Sequence, residues 1–269
     1  MTVLFRKKLI PRYIADMSQF MKYEAFIEKI FTDIYRDAVW SQNEEGKGFS
    51  GKGSILQNAL PYIKFLEKFI AQNHVRSVLD LGCGDWTFSR HVRWGDVHYL
   101  GIDVVKSVIE ENRKKFSSPA IEELLLEKEE ILRRQGILTK KIAVLDPPLK
   151  GRDCGQHSVQ FRQGEILTAD LPEADLMICK DVLQHLPISE IVRFFSGLGN
   201  FKHCLITNDV DPNMLWFQNF DIPYGGYRPI DLTAPPFYIS GNIVLTYPSG
   251  HGPVKQVLYL SSQINSQKI

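Results

Sequence analysis

The amino-acid sequence predicts an α/β fold in which a mostly parallel sheet carries helices on both faces. Short apolar strands alternate with amphipathic helices through much of the chain after residue 54. One of these strands runs into a glycine-rich turn in the sequence VLDLGCGD, residues 78–85. The next strand ends at Asp103, nineteen positions after Gly84. Together these features predict that a ligand binds at the carboxyl ends of the strands.

The N-terminal part of the chain is predicted to form a helical cap. Apolar residues at helical spacing within 14–39 indicate one helix or a helix pair, and a second helix is expected from Ser54 onward. Between them, residues 41–53 are rich in glycine and polar side chains, which is typical of a linker or a lid. We therefore divide the chain into a cap with a lid loop, 1–53, and a main domain, 54–269.

The main domain is expected to contain seven strands. Their predicted ranges are 77–81, 98–102, 159–161, 174–179, 203–207, 243–247 and 257–261. Helices are predicted over 87–92, 105–116 and 189–198. Turn residues separate the last two strands, which predicts an antiparallel C-terminal hairpin. The charged segment at about 117–158 interrupts the alternation and is interpreted as an insertion with a helix over 121–135.

Composition restricts the class of protein. With 269 residues, 44% of them hydrophobic and 23% charged, the chain is long and apolar enough to form one globular domain with an insertion. The net charge of +1 provides no excess of cations for nucleic-acid binding, so a nucleic-acid partner is disfavoured. The four cysteines lack metal-ligand spacing, and no metal site is expected. Neither a signal peptide nor a membrane span is expected, so the predicted location is cytoplasmic.

The glycine-rich turn favours a cofactor with an adenosine group and a positive charge. Gly82 and Gly84 allow backbone N–H groups to approach a ligand closely. A nicotinamide-cofactor fingerprint requires a third glycine where Thr87 stands, and Asp80 would repel a diphosphate. Asp103 stands at the usual distance for a carboxylate that binds ribose hydroxyls. A nicotinamide site and a noncatalytic adenosine site remain the alternatives.

The sequence VLDLGCGD followed by GID resembles the first two motifs of the class I, Rossmann-like S-adenosylmethionine-dependent methyltransferases. This resemblance covers about 77–208 and implies the Rossmann-like methyltransferase fold. It also implies that the cofactor's methionine part lies at the turn, its ribose at Asp103 and its adenine beside Val104. Trp86 directly follows the turn and is interpreted as an aromatic residue at the mouth of the site. The turn residues so assigned are Asp80, Gly82, Cys83 and Gly84.

Two later motifs extend the resemblance. The sequence QGEI at 163–166 is similar to a family motif whose acid meets the adenine amino group, which implies that Glu165 and Ile166 contact adenine. Glutamate replaces the family's aspartate there. The sequence ADLMICKDVLQHL at 174–186 is similar to the fourth motif and implies that Lys180 and Asp181 lie beside the sulfonium.

The sequence offers candidates for catalysis and for acceptor binding. The candidate general bases are Asp181, His185 and Asp209. Asp181 is equally compatible with a helix-capping role, and His185 with simple packing. The segment 222–232 follows the fifth strand and combines aromatic and charged residues with glycine, as loops around binding sites do. The residues predicted to contact the acceptor are Trp40, Tyr224, Tyr227, Arg228 and Asp231.

These features predict an S-adenosylmethionine-dependent methyltransferase that acts by an SN2 mechanism on an oxygen or nitrogen of a small or medium-sized acceptor. S-adenosylhomocysteine would be the second product. A protein acceptor and a noncatalytic S-adenosylmethionine-binding protein are the alternatives. Asp146-Pro147-Pro148-Leu149 lacks the terminal aromatic residue of base-flipping enzymes and is interpreted as a turn. The sequence leaves the acceptor and the oligomeric state open.

Overall fold

The computed structural model describes residues 22–43, 46–116, 158–167, 171–198, 201–214, 219–250 and 252–261. The predicted insertion, including its helix over 121–135 and the turn at 146–149, lies outside the described residues except for its last position, Ser158. Within the described residues, no helix combines the length and the apolar character that a membrane span requires.

Seven strands form a single mixed sheet. They are β1 (Ser77–Leu81), β2 (His98–Asp103), β3 (Val159–Gln163), β4 (Leu176–Lys180), β5 (His203–Val210), β6 (Asn242–Pro248) and β7 (Val254–Ser261). Their spatial order is β3-β2-β1-β4-β5-β7-β6. The first five strands in this order are parallel, whereas β7 runs antiparallel to both β5 and β6. The predicted parallel sheet with an antiparallel C-terminal hairpin is therefore confirmed.

Helices cover both faces of this sheet, as predicted. The described helices are α1 (22–36), α2 (Leu56–Gln72), α3 (Lys106–Phe116) and α4 (Ile188–Gly197). Successive strand residues point to opposite faces, so Val78 packs with α2 and α3, whereas Leu79 packs with α4. Two separate cores result, one on each side of the sheet, and they fix the carboxyl ends of the strands relative to one another.

The helix predicted over 87–92 is wrong. The structure has only a short 3-10 turn there, Ser89–His91. In a longer α-helix, the Arg93 N–H would donate to the Ser89 carbonyl. Here side chains bind both groups instead: the Arg93 N–H donates to Glu67 Oε1 (3.0 Å), and Trp94 Nε1 donates to the Ser89 carbonyl (3.0 Å). Tertiary contacts therefore override the local helical tendency of this segment.

The predicted lid loop is attached to the turn after β1. Tyr35 at the end of α1 hydrogen-bonds Ser50 (2.8 Å), and Ser50 Oγ donates to Asp85 Oδ1 (2.7 Å). A β-bridge pairs Gln42 with Gly48. The end of α1 and the lid loop are thus anchored at the carboxyl-end edge of the sheet, where the sequence predicts the ligand site.

Candidate functional site

A cleft lies at the carboxyl ends of β1, β2 and β4, beneath α1. Including open solvent at its mouth, its volume is about 800 Å³. It is called the first cleft here. Ile27, Phe31 and Tyr35 cover it from α1. The residues that the sequence predicted and that line this cleft are Trp40, Gly82, Cys83, Gly84, Asp103, Val104, Glu165, Ile166, Lys180, Asp181 and His185.

The glycine turn forms the floor of the first cleft. The N–H groups of Gly82 and Cys83 both donate to the carbonyl of Ile102, at 2.8 and 3.0 Å. Gly82 has φ +73°, and a Cβ added there would overlap the Val182 side chain. Glycine at 82 therefore satisfies both a left-handed backbone and a close packing contact.

The Asp103 carboxylate is fixed at the end of β2. Its Oδ2 accepts the Gly84 N–H (2.9 Å) and its Oδ1 accepts the Val105 N–H (2.9 Å). Burial raises the pKa of Asp103, although these backbone hydrogen bonds oppose the rise. Val104 and Ile166 provide apolar surface in the same cleft, where Glu165 is buried with Oε2 accepting the Leu167 N–H (2.9 Å).

Asp80 and Trp86 lie elsewhere than the sequence predicts. The Asp80 carboxylate is buried behind the turn, where Oδ2 accepts hydrogen bonds from Tyr99 (2.6 Å) and Ser89 (3.4 Å). The indole of Trp86 is fully buried against Phe161 and neighbouring aromatic rings, and it does not line the cleft. The placement of Trp86 at the mouth of the site is therefore wrong, because the local backbone, with φ +59°, turns its side chain into the core.

A second cleft adjoins the first and is more polar. Its volume, again with open solvent, is about 850 Å³. It is lined by residues of the lid loop, of the segment that directly follows β4, of β5 and of β7. The segment 222–232 after β5, called the tail loop below, contributes Tyr227. Four residues border both clefts: Trp40, Ser50, Asp181 and His185. Any group passed from a ligand in one cleft to a ligand in the other must cross this shared border.

Two lysines and two aspartates form a buried cluster between the clefts. Lys255 Nζ lies 2.6 Å from Asp181 Oδ1 and 2.8 Å from Asp209 Oδ1. Lys180 Nζ contacts Asp181 Oδ2 and also donates to the Gly53 carbonyl (3.1 Å). Asp209 and Lys255 are directly opposed residues of β5 and β7. The cluster therefore joins the ends of three strands and the lid loop.

The opposite charges of this cluster stabilise the ionised forms of Asp181 and Lys255. Burial raises the pKa of Asp181, but Lys180 and Lys255 more than offset it and hold that pKa below its usual range. Burial likewise lowers the pKa of Lys255, and the two aspartates reverse this effect so that the pKa is raised. Asp181 and Lys255 are thus charged at neutral pH. Asp181 also has φ +61°, an uncommon conformation for a residue other than glycine.

His185 is held as a neutral imidazole on the shared border. Its Nδ1 lies 2.7 Å from the Gly226 carbonyl, an acceptor that requires the proton on Nδ1. Burial lowers the pKa of His185 to about 4. Its ring packs on Trp40 at a centroid distance of 4.6 Å. With Nδ1 protonated, Nε2 is the nitrogen that can accept a proton.

The tail loop supplies Tyr227 to the second cleft, and its other predicted residues have structural roles. Tyr227 donates to Asp209 Oδ2 (3.0 Å) and lines the cleft. Arg228 is fully buried and donates from Nη1 to the Leu186 carbonyl (2.9 Å), which fixes the segment that carries His185.

Tyr224 and Asp231 also lie outside both clefts. Tyr224 hydrogen-bonds Tyr23 of α1 (2.6 Å), and Asp231 Oδ1 accepts the backbone N–H of Thr233 (2.8 Å). The prediction that Tyr224, Arg228 and Asp231 line an acceptor pocket is therefore wrong, because none of them lines either cleft and each forms a hydrogen bond that stabilises the loop.

The sequence analysis missed Lys255 and Ser50. Lys255 is the only charged residue in the mostly apolar sequence VKQVLYL, and it is buried in the structure. A lone lysine in a strand otherwise expected to be buried was the available signal that it has an anionic partner. Ser50 lies in a loop whose composition matched a linker as well as a lid, so nothing local distinguished it. Among the described residues, no group of three or more His, Cys, Asp or Glu side chains is arranged to hold a metal ion.

Comparisons with known proteins identify the fold. No family model and no curated protein matches the sequence. Magnesium protoporphyrin IX methyltransferase from Synechocystis PCC 6803, solved with S-adenosylhomocysteine, is 13% identical with TM-score 0.51, over 86% of this chain and 97% of that chain. Human N-acetylserotonin methyltransferase, solved with S-adenosylmethionine, is 12% identical with TM-score 0.45, over 86% and 58%. The chain has the Rossmann-like fold of the class I methyltransferases.

Proposed function

We propose that the protein transfers a methyl group from S-adenosylmethionine to an oxygen or nitrogen of a small or medium-sized acceptor. One observation carries this proposal: a cleft with the features of an adenosine site shares a wall with a second, polar cleft. The cofactor would lie in the first cleft and the acceptor in the second. The shared border is then where the methyl group passes between them.

The first cleft fits an adenosine group. Asp103 is fixed by two backbone N–H groups, so its remaining lone pairs can accept hydrogen bonds from ribose hydroxyls without moving. Val104 and Ile166 offer apolar surface for a purine, and Glu165 offers an acceptor for its amino group. The Synechocystis enzyme of the same fold was also solved with S-adenosylmethionine bound, which supports this cofactor class.

The protein's own contribution would be alignment, exclusion of water and one base. S-adenosylmethionine, when bound, supplies a methyl group on a sulfonium sulfur, which is already activated for SN2 attack. Of the three candidate bases, His185 is favoured because its imidazole is neutral and Nδ1 is engaged with Gly226. Asp181 is a weaker base because two lysines stabilise its ionised form.

Cofactor binding is tested by isothermal titration calorimetry with S-adenosylmethionine, S-adenosylhomocysteine and NAD. We expect the first two to bind and NAD not to bind. Asp103→Asn should weaken binding by about 2–3 kcal/mol, roughly 30- to 150-fold, because it removes charge-assisted hydrogen bonds to ribose. Asp96→Asn is the control, since Asp96 is exposed beyond the clefts and should leave affinity unchanged. NAD binding with no S-adenosylmethionine binding would refute the proposal.

Catalysis is tested separately from binding. The protein is incubated with a source-cell extract and S-adenosylmethionine carrying a labelled methyl group, and the label is counted in metabolite, protein and nucleic-acid fractions. We expect the label in metabolites. Label in protein would favour the protein-methyltransferase alternative, and binding without any transfer would favour a noncatalytic protein.

A further inference from the structure

The charged groups of the second cleft balance one another. Lys255, Asp181 and Asp209 line this cleft, and Lys180, which lines the first cleft, pairs with Asp181 from behind; all four side chains are largely buried. Lys52 is a further charged residue in the described wall, and it is exposed at the rim. A buried ionic group on a ligand requires an opposite charge to offset its desolvation. In the described wall, the buried charges are already neutralised, which disfavours both anionic and cationic acceptors.

The same wall presents hydrogen-bond donors and acceptors side by side. Lys255 has three N–H groups and uses two of them on aspartates, while each Asp181 oxygen accepts from one lysine and retains a further lone pair. Gln184 Oε1 accepts the backbone N–H of Asp209 (2.9 Å), and Gln184 Nε2 lies next to His185 Nε2 (3.4 Å). A hydroxyl both donates and accepts, so adjacent hydroxyls match such an alternation best.

Apolar surface borders these polar groups. The indole of Trp40 lines the cleft beside His185, and Val39 and Tyr227 stand at the rim with 65% and 44% of their surfaces exposed. Binding sites for small molecules commonly combine apolar walls with a few polar groups that fix orientation. A ring that has C–H faces and a hydroxyl-bearing edge satisfies both kinds of surface.

We infer that the second cleft binds an uncharged polyhydroxylated ring, of the sugar or cyclitol class, and that one of its hydroxyls is methylated. This inference rests on the proposed function. The hydroxyl oxygen forms the new bond to the methyl carbon as the carbon–sulfur bond breaks, and the bonding pair stays on sulfur. The hydroxyl proton passes to His185 Nε2 and then to solvent. The products are a methyl ether and S-adenosylhomocysteine.

The test identifies the chemistry of the labelled product. Full-length protein is incubated with the source-cell extract and S-adenosylmethionine carrying a tritiated methyl group; a reaction without the protein gives the background, and Asp103→Asn is the matched variant, compared at a cofactor concentration near the wild-type Kd. The products are separated by anion and cation exchange at pH 7. The neutral fraction is then treated with alkali, which hydrolyses methyl esters and leaves methyl ethers intact, and the labelled compound is identified by mass spectrometry.

We expect the label in the neutral fraction, stable to alkali, on a polyhydroxylated ring, and strongly reduced with Asp103→Asn. Label retained on either ion exchanger, released by alkali, carried on nitrogen, or found on a neutral compound without such a ring would overturn the inference while leaving methyl transfer intact. If S-adenosylmethionine binds but no fraction is labelled, the proposed function itself fails. The two failures are therefore distinguishable.

Discussion

Replacing Lys255 with methionine removes the cation that bridges two buried carboxylates. Lys255 Nζ lies 2.6 Å from Asp181 and 2.8 Å from Asp209, and 2% of its side chain is exposed. Breaking a buried ion pair by removing one partner costs about 3–5 kcal/mol, against a total stability of about 5–15 kcal/mol for a typical protein. At about 2–4 °C per kcal/mol, we expect the unfolding midpoint of Lys255→Met to fall by roughly 6–20 °C.

The assay is thermal unfolding for the midpoint and urea unfolding for the free energy, both at pH 7, on the wild type, Lys255→Met, Asp209→Asn and the double variant. Methionine keeps the length of the lysine stem, so the change tests charge more than packing. Asp209→Asn removes the carboxylate that Lys255→Met leaves buried without its ion-pair partner. The double variant should therefore lose less stability than the sum of the two single variants, with a coupling of about 2–3 kcal/mol.

Two results would refute this reasoning. A loss below about 1 kcal/mol in Lys255→Met would mean that the cluster is hydrated like a surface ion pair. Single effects that simply add in the double variant would mean that Lys255 and Asp209 do not interact in solution. Either result would also remove the charge balance on which the inferred acceptor class depends.

Three further predictions concern the turn and the shared border. Burial raises the pKa of Asp80 to about 7. The protonated carboxyl group therefore stabilises the folded protein by roughly 4 kcal/mol below about pH 4, and this stabilisation is lost as pH rises through 7. In urea unfolding at pH 8, Asp80→Asn should be more stable than the wild type. Burial lowers the pKa of His185 to about 4, so the wild type should lose roughly 3 kcal/mol as pH falls from 6.5 to 4, and His185→Gln should lose less in the same assay. Gly82 and Gly95 both have a positive φ, but an added Cβ would meet Val182 at position 82 and nothing within 4 Å at position 95. Gly95→Ala should cost roughly 1 kcal/mol of stability, and Gly82→Ala should cost more. Thermal and urea unfolding measure both losses.

Each of these predictions has its own contradicting result. Asp96→Asn, at an exposed position, should reproduce the wild-type pH dependence; if Asp80→Asn reproduces it too, Asp80 is not buried as a protonated acid. An unchanged acid loss in His185→Gln would mean that another group titrates in that range. Equal losses at Gly82 and Gly95 would show that the turn can move away from Val182.

Much of the lining of the first cleft could be predicted from the sequence because the residues concerned are local. Gly82 and Gly84 follow one strand, and Asp103 ends the next strand along the chain. Parallel pairing of these strands brings their carboxyl ends together whatever the rest of the fold does. Asp80 shows the limit of such reasoning, because residue order does not reveal that Tyr99 and Ser89 bind its carboxylate behind the turn.

The contribution of the tail loop to the second cleft could not be predicted in the same way. Tyr227 was one of four aromatic or charged tail-loop residues assigned to the pocket, and composition alone did not separate it from the others. Arg228 and Tyr224 are held by partners far along the chain, the carbonyl of Leu186 and the hydroxyl of Tyr23. Which side chain of a loop faces a cleft depends on such contacts, and these follow from tertiary packing.

The role of Lys255 depends on strand length and register, which its neighbours in the sequence do not determine. The strand predicted over 257–261 begins at Val254 in the structure, and this extension places Lys255 opposite Asp209. In an antiparallel pair the register of one residue determines that of all the others, since side chains alternate between faces. Because β7 lies between β5 and β6, its buried lysine requires an anionic partner on a neighbouring strand. The predicted strand 203–207 ended before Asp209, whereas β5 extends to Val210 in the structure. Because both predicted strands were too short, the sequence analysis did not reveal that Asp209 and Lys255 pair at the second cleft.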